Sequence, residues 1–389
     1  MAASAVTHAL ALAYHGKLLN IPLSEEWSNG KGRAKQSACG KWRYRFQLED
    51  ESERQMKYRT LGKSGIEASV VGFGAWAIGG WMWGGTKRND PEGAIRAAID
   101  HGINLIDTAP MYGYGRSEEL VGEALKGVRD EVVLATKCGM VWYKKEGDKF
   151  FDANEDGRAK SEEDKRYEVY INLRPAMIRY EIEESLRRLK TEHIDLYQTH
   201  WQDSTTKTED VVAELMKLKQ EGKIRAIGCS NATIDQMKRY QAVGQLDTDQ
   251  EQYSMLQRQH EADNLPFCRD NNIAFLAYSP MALGILSGKI GPDHEFGEGD
   301  VRRDNPWYQK ENRSKVDALL NVIRFVAEEK GITIAQTVIA WTLEQPGCSH
   351  ALVGARNPEQ AIANAKAGEV ELTEEEIGTI RKAVDRTKL

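Results

Sequence analysis

Apolar stretches of strand length alternate with amphipathic stretches of helix length eight times between Val70 and Ala367. Such an alternation implies parallel strands, because consecutive parallel strands must be joined by a crossover, which is usually a helix. Eight strand–helix units favour a closed (β/α)8 barrel, the TIM barrel, in the α/β class. The predicted strands lie at Val70–Phe73, Ile103–Asp107, Val132–Lys137, Ile194–Thr199, Ile224–Cys229, Asp249–Tyr253, Ala274–Tyr278 and Ala351–Val353.

An open, doubly wound sheet fits the sequence less well. Sheets of that kind bind dinucleotides on a turn with the pattern Gly-x-Gly-x-x-Gly after the first strand. The corresponding turn, Gly72-Phe-Gly74-Ala-Trp-Ala, lacks the third glycine. Three additions to the barrel are predicted: an N-terminal β-hairpin at 58–70, long loops after strands 3 and 7 at 141–172 and 287–313, and an extra C-terminal helix at 374–385. Loops of this length are expected to be lids or surface excursions.

The start of the 389-residue chain does not share the alternation. We interpret residues 1–56 as a disordered or non-native leader and residues 57–389 as the barrel domain. A net charge of −6 gives no indication of nucleic-acid or membrane binding, and no apolar run approaches the length of a membrane span. Five scattered cysteines without metal-ligand spacing suggest reduced thiols in a cytoplasmic protein without a metal site. The sequence leaves the oligomeric state open.

Polar residues stand at the ends of three consecutive predicted strands. Asp107 ends the second strand and Lys137 the third, His200 follows the fourth, and Tyr112 lies in the loop after Asp107. Neighbouring strand ends meet at one mouth of a barrel, so we expect these four side chains to converge. An ammonium beside a phenol lowers the pKa of the phenol, and a carboxylate holds that ammonium charged. With an imidazole to orient the substrate, the set is suited to protonating a carbonyl oxygen and lacks only a hydride carrier.

Later strand ends offer groups that suit a nicotinamide cofactor. Ser230, Asn231 and Gln252 carry hydroxyl and amide groups that match a carboxamide, and Tyr278 offers a flat ring for stacking. Arg356 precedes the last barrel helix, whose N-terminus favours an anion such as phosphate. The guanidinium fork of Arg356 favours NADP(H) over NAD(H). The alternative interpretation of this segment is a capped helix with an exposed arginine.

Motifs spread over residues 57–389 resemble the aldo-keto reductase superfamily. They are Tyr58-Arg-Thr-Leu-Gly62, Asn104-Leu-Ile-Asp-Thr-Ala-Pro-Met-Tyr-Gly, Ala135-Thr-Lys137, Gln198-Thr-His200, Gly228-Cys-Ser-Asn231, Gln252-Tyr253 and Tyr278-Ser-Pro280. The pattern is nearest to bacterial reductases of sugars and small aldehydes, and it is also similar to the β-subunits of voltage-gated potassium channels. The resemblance implies that Tyr112 is the general acid/base, that Lys137 and Asp107 tune it, and that His200 orients the carbonyl.

The same resemblance implies an NADP(H) site. Its predicted residues are Gly74, Trp76, Asp107, Ser230, Asn231, Gln252, Tyr278, Ser279, Pro280, Met281, Ala282, Gly354, Arg356, Gln360 and Asn364. Three tryptophans, Trp81, Trp83 and Trp201, are predicted to line a substrate pocket if they face inward.

Three classes of function are consistent with these residues. The first is an NADP(H)-dependent oxidoreductase acting on the carbonyl of an aldehyde, ketone or sugar. The second is an NADP(H)-binding redox-sensing or regulatory subunit similar to the channel β-subunits. The third is a lyase or isomerase with a phosphate site on the same barrel, which would not need Tyr278 or the carboxamide-binding groups. The complete set of Asp107, Tyr112, Lys137 and His200 favours the first class.

Overall fold

The structure, a computed structural model, describes residues 55–83, 90–291, 293–297, 300–303 and 305–388, together with the backbone of 34–36 and 42–44. The chain divides into two units, Met1–Glu53 and Arg54–Leu389. In the first unit, strand β1 (Ala34–Gln36) pairs antiparallel with strand β2 (Trp42–Tyr44). Gln55 and Met56, the last two residues of the predicted leader, are described, and Met56 packs in the apolar core of the second unit, so the leader ends before it. The other leader residues outside β1 and β2 lie outside the described residues, and their disorder stays a prediction.

A closed barrel of parallel strands forms the centre of the second unit. Its eight strands pair in chain order, and the last pairs with the first to close the ring. The predicted (β/α)8 barrel is therefore confirmed. In chain order the strands are β3 (Tyr58–Thr60), β4 (Glu67–Ser69), β5 (Val71–Gly74), β6 (Leu105–Asp107), β7 (Val133–Cys138), β8 (Met140–Val141), β9 (Asp148–Ala153), β10 (Tyr167–Ile171), β11 (Ile194–Thr199), β12 (Ile224–Ser230), β13 (Thr248–Gln252), β14 (Ala274–Tyr278) and β15 (Cys348–Gly354).

Helices surround the barrel and begin at residues that cap them. The side chains of three threonines, Thr233, Thr333 and Thr373, each accept a hydrogen bond from the backbone N–H three residues later. The Gln or Glu side chain at that later position accepts a hydrogen bond from the backbone N–H of the threonine, which completes a capping box. The described α-helices are Pro91–Asp100, Arg116–Ala124, Pro175–Leu189, Thr208–Gln220, Ile234–Val243, Asn264–Asn271, Lys310–Lys330, Ile334–Leu343, Pro358–Ala365 and Glu374–Arg386. The last of these is the predicted extra C-terminal helix.

The barrel has one apolar layer inside and another outside. The interior cluster includes Leu105, Leu196 and Leu276, and Leu61 and Ile66 of the β3–β4 hairpin belong to the same cluster. The hairpin therefore closes the amino-terminal end of the barrel, which leaves the carboxyl ends of the strands for a ligand. The outer cluster lies between the other faces of the strands and the helices.

The long loop predicted at 141–172 contains a small sheet. Strands β8, β10 and β9 pair antiparallel in that order. Its buried residues, Met140, Ala153, Val169 and Ile171, pack with Trp81 in a separate apolar cluster. The segment is therefore a packed, regular element beside the barrel mouth. We call it the inserted sheet.

The inserted sheet and the long segment after β14 are both hydrogen-bonded to the loop after β5. Met82 N donates to Asp156 O of the inserted sheet at 2.8 Å, and Met82 O accepts from Val301 N at 3.1 Å. Trp83 forms an antiparallel bridge with Asp300 in the segment after β14. One residue, Met82, thus joins the two segments across the mouth. Within the described residues, no helix combines the length and the apolar character that a membrane crossing requires.

Candidate functional site

A buried ion pair occupies the carboxyl end of the barrel. Asp107 is the last residue of β6 and is 3% exposed, whereas Lys137 on the neighbouring strand β7 has no exposed surface. Lys137 Nζ donates to the two carboxylate oxygens of Asp107 at 2.7 and 2.9 Å and to Thr108 O at 2.9 Å. A buried charge is tolerated when it is paired and hydrogen-bonded, and each member of this pair satisfies the other.

Tyr112 lies within reach of the same ammonium. Lys137 Nζ is 3.3 Å from Tyr112 OH and 5.0 Å from the centre of the phenol ring. The loop that carries Tyr112 is tied at both ends, because Thr108 Oγ1 lies 2.9 Å from Ser117 Oγ and Ser117 Oγ donates to Ala75 O. The phenol is therefore held against the ion pair by its own loop.

The pKa of Tyr112 is shifted in the direction opposite to the one that the sequence predicts. Desolvation, with the Asp107 charge second, raises the pKa of Tyr112 well above its usual value. The prediction that the neighbouring ammonium lowers this pKa is wrong, since burial and the Asp107 charge both raise it. Desolvation also lowers the pKa of Lys137, against the opposing effect of Asp107. Tyr112 is therefore a neutral phenol at neutral pH, which is the form that donates a proton.

His200 stands beside the phenol of Tyr112. It follows β11, and its ring centre lies 5.7 Å from that of Tyr112, nearly perpendicular to it. Its backbone N donates to Cys138 O at 2.9 Å. Desolvation, and then the charge of Lys137, lower the pKa of His200 well below its usual value. A neutral imidazole still donates one N–H, which suits a hydrogen bond to a carbonyl oxygen.

Two buried glutamines complete the surroundings of Asp107. The sequence analysis predicted neither as a site residue, although Gln198 belongs to one of the motifs. Gln250 Nε2 donates to Asp107 Oδ1 at 2.9 Å, and Gln198 Nε2 lies 3.4 Å from the same oxygen. Both side chains are inside the barrel, on β13 and β11. Their alternation with outward-facing neighbours was the available signal, because inward positions in a strand recur every second residue.

The predicted carboxamide-binding groups lie at three adjacent strand ends. Asn231, directly after β12, donates from Nδ2 to Ser230 Oγ and to His200 O, both at 3.0 Å. Tyr278 OH, at the end of β14, donates to Asn231 Oδ1 at 3.0 Å. Gln252 ends β13 and pairs in register with Tyr278. The structure thus brings Ser230, Asn231 and Tyr278 together beside His200, with Gln252 at the end of the neighbouring strand.

The segment after β14 has an unusual backbone. Ser279, Ala282 and Leu283 adopt positive φ angles of 55°, 46° and 57°. Tyr308 OH supports this conformation by donating to Leu283 O at 2.8 Å. Non-glycine residues in the left-handed region are strained, and such strain concentrates at ligand sites. The predicted run Ser279 to Ala282, including Pro280 and Met281, lies in this strained segment.

The residues predicted for the adenosine end lie around the end of β15. Gln360 Oε1 accepts from Arg356 N at 2.9 Å, and Asn364 Nδ2 donates to Gly354 O at 3.1 Å. These two side chains therefore shape the loop itself. The Arg356 side chain lies near Arg302, whose positive charge, after desolvation, contributes to lowering the pKa of Arg356.

Only one of these two arginines is paired within the described part of the chain. Arg302 donates to Asp300 at 2.5 and 2.8 Å, whereas Arg356 forms no side-chain ion pair with a described residue. Among the described residues, two guanidinium groups lie near the one carboxylate of Asp300, which leaves a positive charge that suits an anion.

The predicted tryptophans occupy different environments. The Trp76 ring lies 6.2 Å from the Tyr112 ring and 5.3 Å from that of Trp83. The indole N–H groups of both tryptophans are buried without a partner among the described residues. The Trp201 ring packs on that of Phe150 in the inserted sheet, with 4.9 Å between the ring centres.

Gly74 ends β5 in register with Asp107 and Gly354.

Trp81 contributes mainly to packing. It is 6% exposed, and its indole N–H lies 3.4 Å from Asn154 O of the inserted sheet. Its ring packs against Tyr114 and Phe151. Trp81 therefore supports the wall of the mouth and offers little surface to a substrate.

Comparison with known proteins places this arrangement in context. The model of the Aldo/keto reductase family matches residues 70–385. Aldo-keto reductase YhdN of Bacillus subtilis is 40% identical over 311 residues, which cover 79% of this chain and 87% of that protein. The NADH-specific methylglyoxal reductase of Escherichia coli is 40% identical over 336 residues, which cover 85% of this chain and 99% of that protein.

A solved structure agrees with these relatives. The glycerol dehydrogenase AKR11B4 from Gluconobacter oxydans matches with a TM-score of 0.74 and 38% sequence identity. The match covers 85% of this chain and 95% of that one. Sequence and fold therefore indicate the same relationship.

Proposed function

The chain belongs to the aldo/keto reductase family, and from this premise we propose that it transfers a hydride between NADP(H) and the carbonyl group of an aldehyde, ketone or sugar, with Tyr112 as the general acid/base. The observation that carries the proposal is the position of Lys137 Nζ, which contacts both the Asp107 carboxylate and the Tyr112 hydroxyl. No nucleophile or metal is needed for this chemistry, since a carbonyl is reduced by a hydride and a proton.

The roles of the four residues follow from their charge states. Tyr112, neutral and facing His200, donates its proton to the carbonyl oxygen. Lys137 then stabilises the negative charge on the phenol oxygen, because a fixed donor already lies beside it. Asp107 keeps Lys137 charged in a buried position. His200 orients the carbonyl oxygen through one N–H.

The residues at the later strand ends support a nicotinamide dinucleotide as the hydride carrier. Ser230, Asn231 and Gln252 offer the hydroxyl and amide groups that a carboxamide requires, and Tyr278 offers its ring. Such a cofactor supplies the hydride that carbonyl reduction needs. The name of the E. coli relative specifies NADH, so NADH is the alternative cofactor. The charge of Arg356, which pairs with no side chain in the described part of the chain, supports NADPH.

Replacement of Tyr112 by Phe tests the proposal. The variant should lose turnover of carbonyl substrates by roughly 10² to 10⁴-fold, because the proton donor is absent. The variant should still bind NADPH, which is measured by the quenching of protein fluorescence. Tyr114→Phe is a matched control, since Tyr114 donates its hydroxyl to Asn154 O outside the four-residue set. Normal turnover by Tyr112→Phe would contradict the assigned role.

A further inference from the structure

A second pair of acidic side chains lies on the outer face of the barrel, behind the proposed cofactor site. Asp249 and Glu251 alternate along β13 with Gln250, which faces inward. Asp249 is fully buried and Glu251 is 4% exposed. The mechanism proposed above uses neither of them. Among the described residues, His260 alone contacts the pair as a possible cation, with its Nε2 3.4 Å from Glu251, so the burial of two carboxyl groups requires another explanation.

These carboxyl groups bind the turn that follows β12. Ala232 N donates to Glu251 Oε1 at 2.7 Å. Asn264 Nδ2 donates to Ala232 O at 3.1 Å and to Asp249 Oδ2 at 2.8 Å. Both backbone polar groups of Ala232 are therefore held by this buried cluster, from outside the barrel.

The residue before Ala232 has a strained backbone and a functional position. Asn231 adopts a φ of 55°, in the left-handed region. Its side chain contacts Ser230, His200 and Tyr278, which are all predicted site residues. A left-handed residue persists only where the surrounding structure fixes it. The hydrogen bonds to Ala232 supply that constraint on the following peptide.

The protonation of the pair fits this role. Burial, and then the neighbouring Asp249 carboxylate, raise the pKa of Glu251. Burial also raises the pKa of Asp249. Other titratable groups near the pair are Cys229 and Cys268 beside Asp249, and His260, whose Nε2 lies 3.4 Å from Glu251. The charge of Asp263 also raises the pKa of Glu251. The interaction with the Asp249 side chain also favours the protonated form of Glu251, whose Oε1 accepts from Ala232 N.

We propose that Glu251 is a positioning residue, which acts through Ala232 to hold the Ser230–Asn231 turn in the shape that receives the carboxamide of the nicotinamide. Asp249 and Asn264 complete the support. The inference rests on the proposed function, because it assigns this turn to the nicotinamide end of the cofactor. It differs from that function in that Glu251 touches neither cofactor nor substrate.

Binding measurements on Glu251→Leu test the proposal without any turnover assay. Two probes are compared by calorimetry: NADPH, and 2′-phospho-ADP-ribose, which lacks the nicotinamide ring. Glu251→Leu should bind NADPH about tenfold more weakly, as expected for the loss of one buried hydrogen bond that shapes the site. Its affinity for 2′-phospho-ADP-ribose should be unchanged. Glu251→Gln keeps an oxygen for Ala232 N and an N–H for Asp249, so it should bind both probes normally.

The chain provides a matched control between the same two strands. Asp247 Oδ2 accepts from Ile227 N at 3.0 Å, near the other end of β12 and β13. Asp247→Leu should lower the melting temperature but leave both affinities unchanged. If Glu251→Leu is insoluble, Asn264→Ala removes the bond to Ala232 O and should give the same selective loss.

The outcomes separate the inference from its premise. Equal weakening of both probes, or no change in either, would overturn the positioning role while the function stands. The wild-type chain is measured first. If it binds neither probe, the proposed function fails, and the role of Glu251 fails with it.

Discussion

At the scale of single residues, one buried ammonium is shared among four oxygen atoms. Lys137 Nζ contacts both oxygens of Asp107, the Thr108 carbonyl and the Tyr112 hydroxyl, and the contact with Tyr112 is the longest. An ammonium has three N–H donors, so the phenol receives the weakest share. A hydrogen bond to an ionised acceptor is shorter and stronger. The interaction with Tyr112 is therefore expected to strengthen as the phenol loses its proton.

Arg356 provides a prediction about cofactor choice. Arg356→Leu should weaken NADPH binding by about ten- to a hundredfold, because a hydrogen bond to a charged group is lost. The affinity for NADH should change little, since NADH has no 2′-phosphate. Titration of both cofactors by fluorescence measures the two affinities.

The control for Arg356→Leu removes one positive charge elsewhere. Arg324, which contacts Asn321 on the Lys310–Lys330 helix, is suitable because that site lies on an exposed helix surface. Arg324→Leu should leave both affinities unchanged. Equal losses of NADPH and NADH in Arg356→Leu would show that this arginine does not contact the 2′-phosphate.

Residue types and strand ends were enough to predict which side chains meet at the mouth. The charge balance among them was not predictable, because it depends on desolvation. The sequence suggested that Lys137 lowers the pKa of Tyr112, whereas burial raises it. The sequence analysis did not predict Gln250, which lies two residues before Gln252 on the same strand and therefore deeper inside the barrel. Depth inside a barrel has no signature in the residue type.

At the scale of elements, local signals and tertiary pairings differ in how well they can be predicted. The barrel order followed from the alternation, since each strand pairs with the strand of the next unit. Helix starts at Thr233, Thr333 and Thr373 coincide with capping boxes. The inserted sheet was missed, because β9 carries adjacent aromatic residues between two aspartates instead of a clear alternation.

The cap of the C-terminal helix gives a stability prediction. Thr373→Ala should lower the free energy of unfolding by about 1 kcal/mol, because Thr373 Oγ1 no longer accepts from Glu376 N. Thr379→Ala makes the same substitution at an exposed position within the same helix. It should be neutral or slightly stabilising, since alanine favours helix interiors. Urea unfolding compares the two variants, and equal losses would argue against the cap.

At the scale of the whole molecule, a buried carboxyl group links stability to pH. Glu181 is 2% exposed, and its Oε2 accepts from Gly139 N at 2.7 Å. Burial raises the pKa of Glu181 to about 8. An unfolded chain has the ordinary value of about 4.3, so between these two values the folded state holds the extra proton. The free energy of unfolding therefore falls as the pH rises from about 4.3 to about 8.

Glu181→Gln should remove this part of the pH dependence. Its free energy of unfolding should fall less than that of the wild type between about pH 5.5 and about pH 8, by at most a few kcal/mol. Glu184→Gln on the same helix is the control, because a hydrogen bond from Arg187 lowers the pKa of Glu184. That residue titrates below the window and should not alter the slope. An unchanged slope in Glu181→Gln would contradict the linkage.

The double attachment of Met82 has a consequence for engineering. Its two peptide groups fasten the inserted sheet on one side and the 300–303 segment on the other. If either segment alone were exchanged for that of another reductase, one of the two backbone hydrogen bonds to Met82 would lose its native partner. Recombination aimed at a new substrate range should therefore transfer the loop after β5, the inserted sheet and the 300–303 segment together.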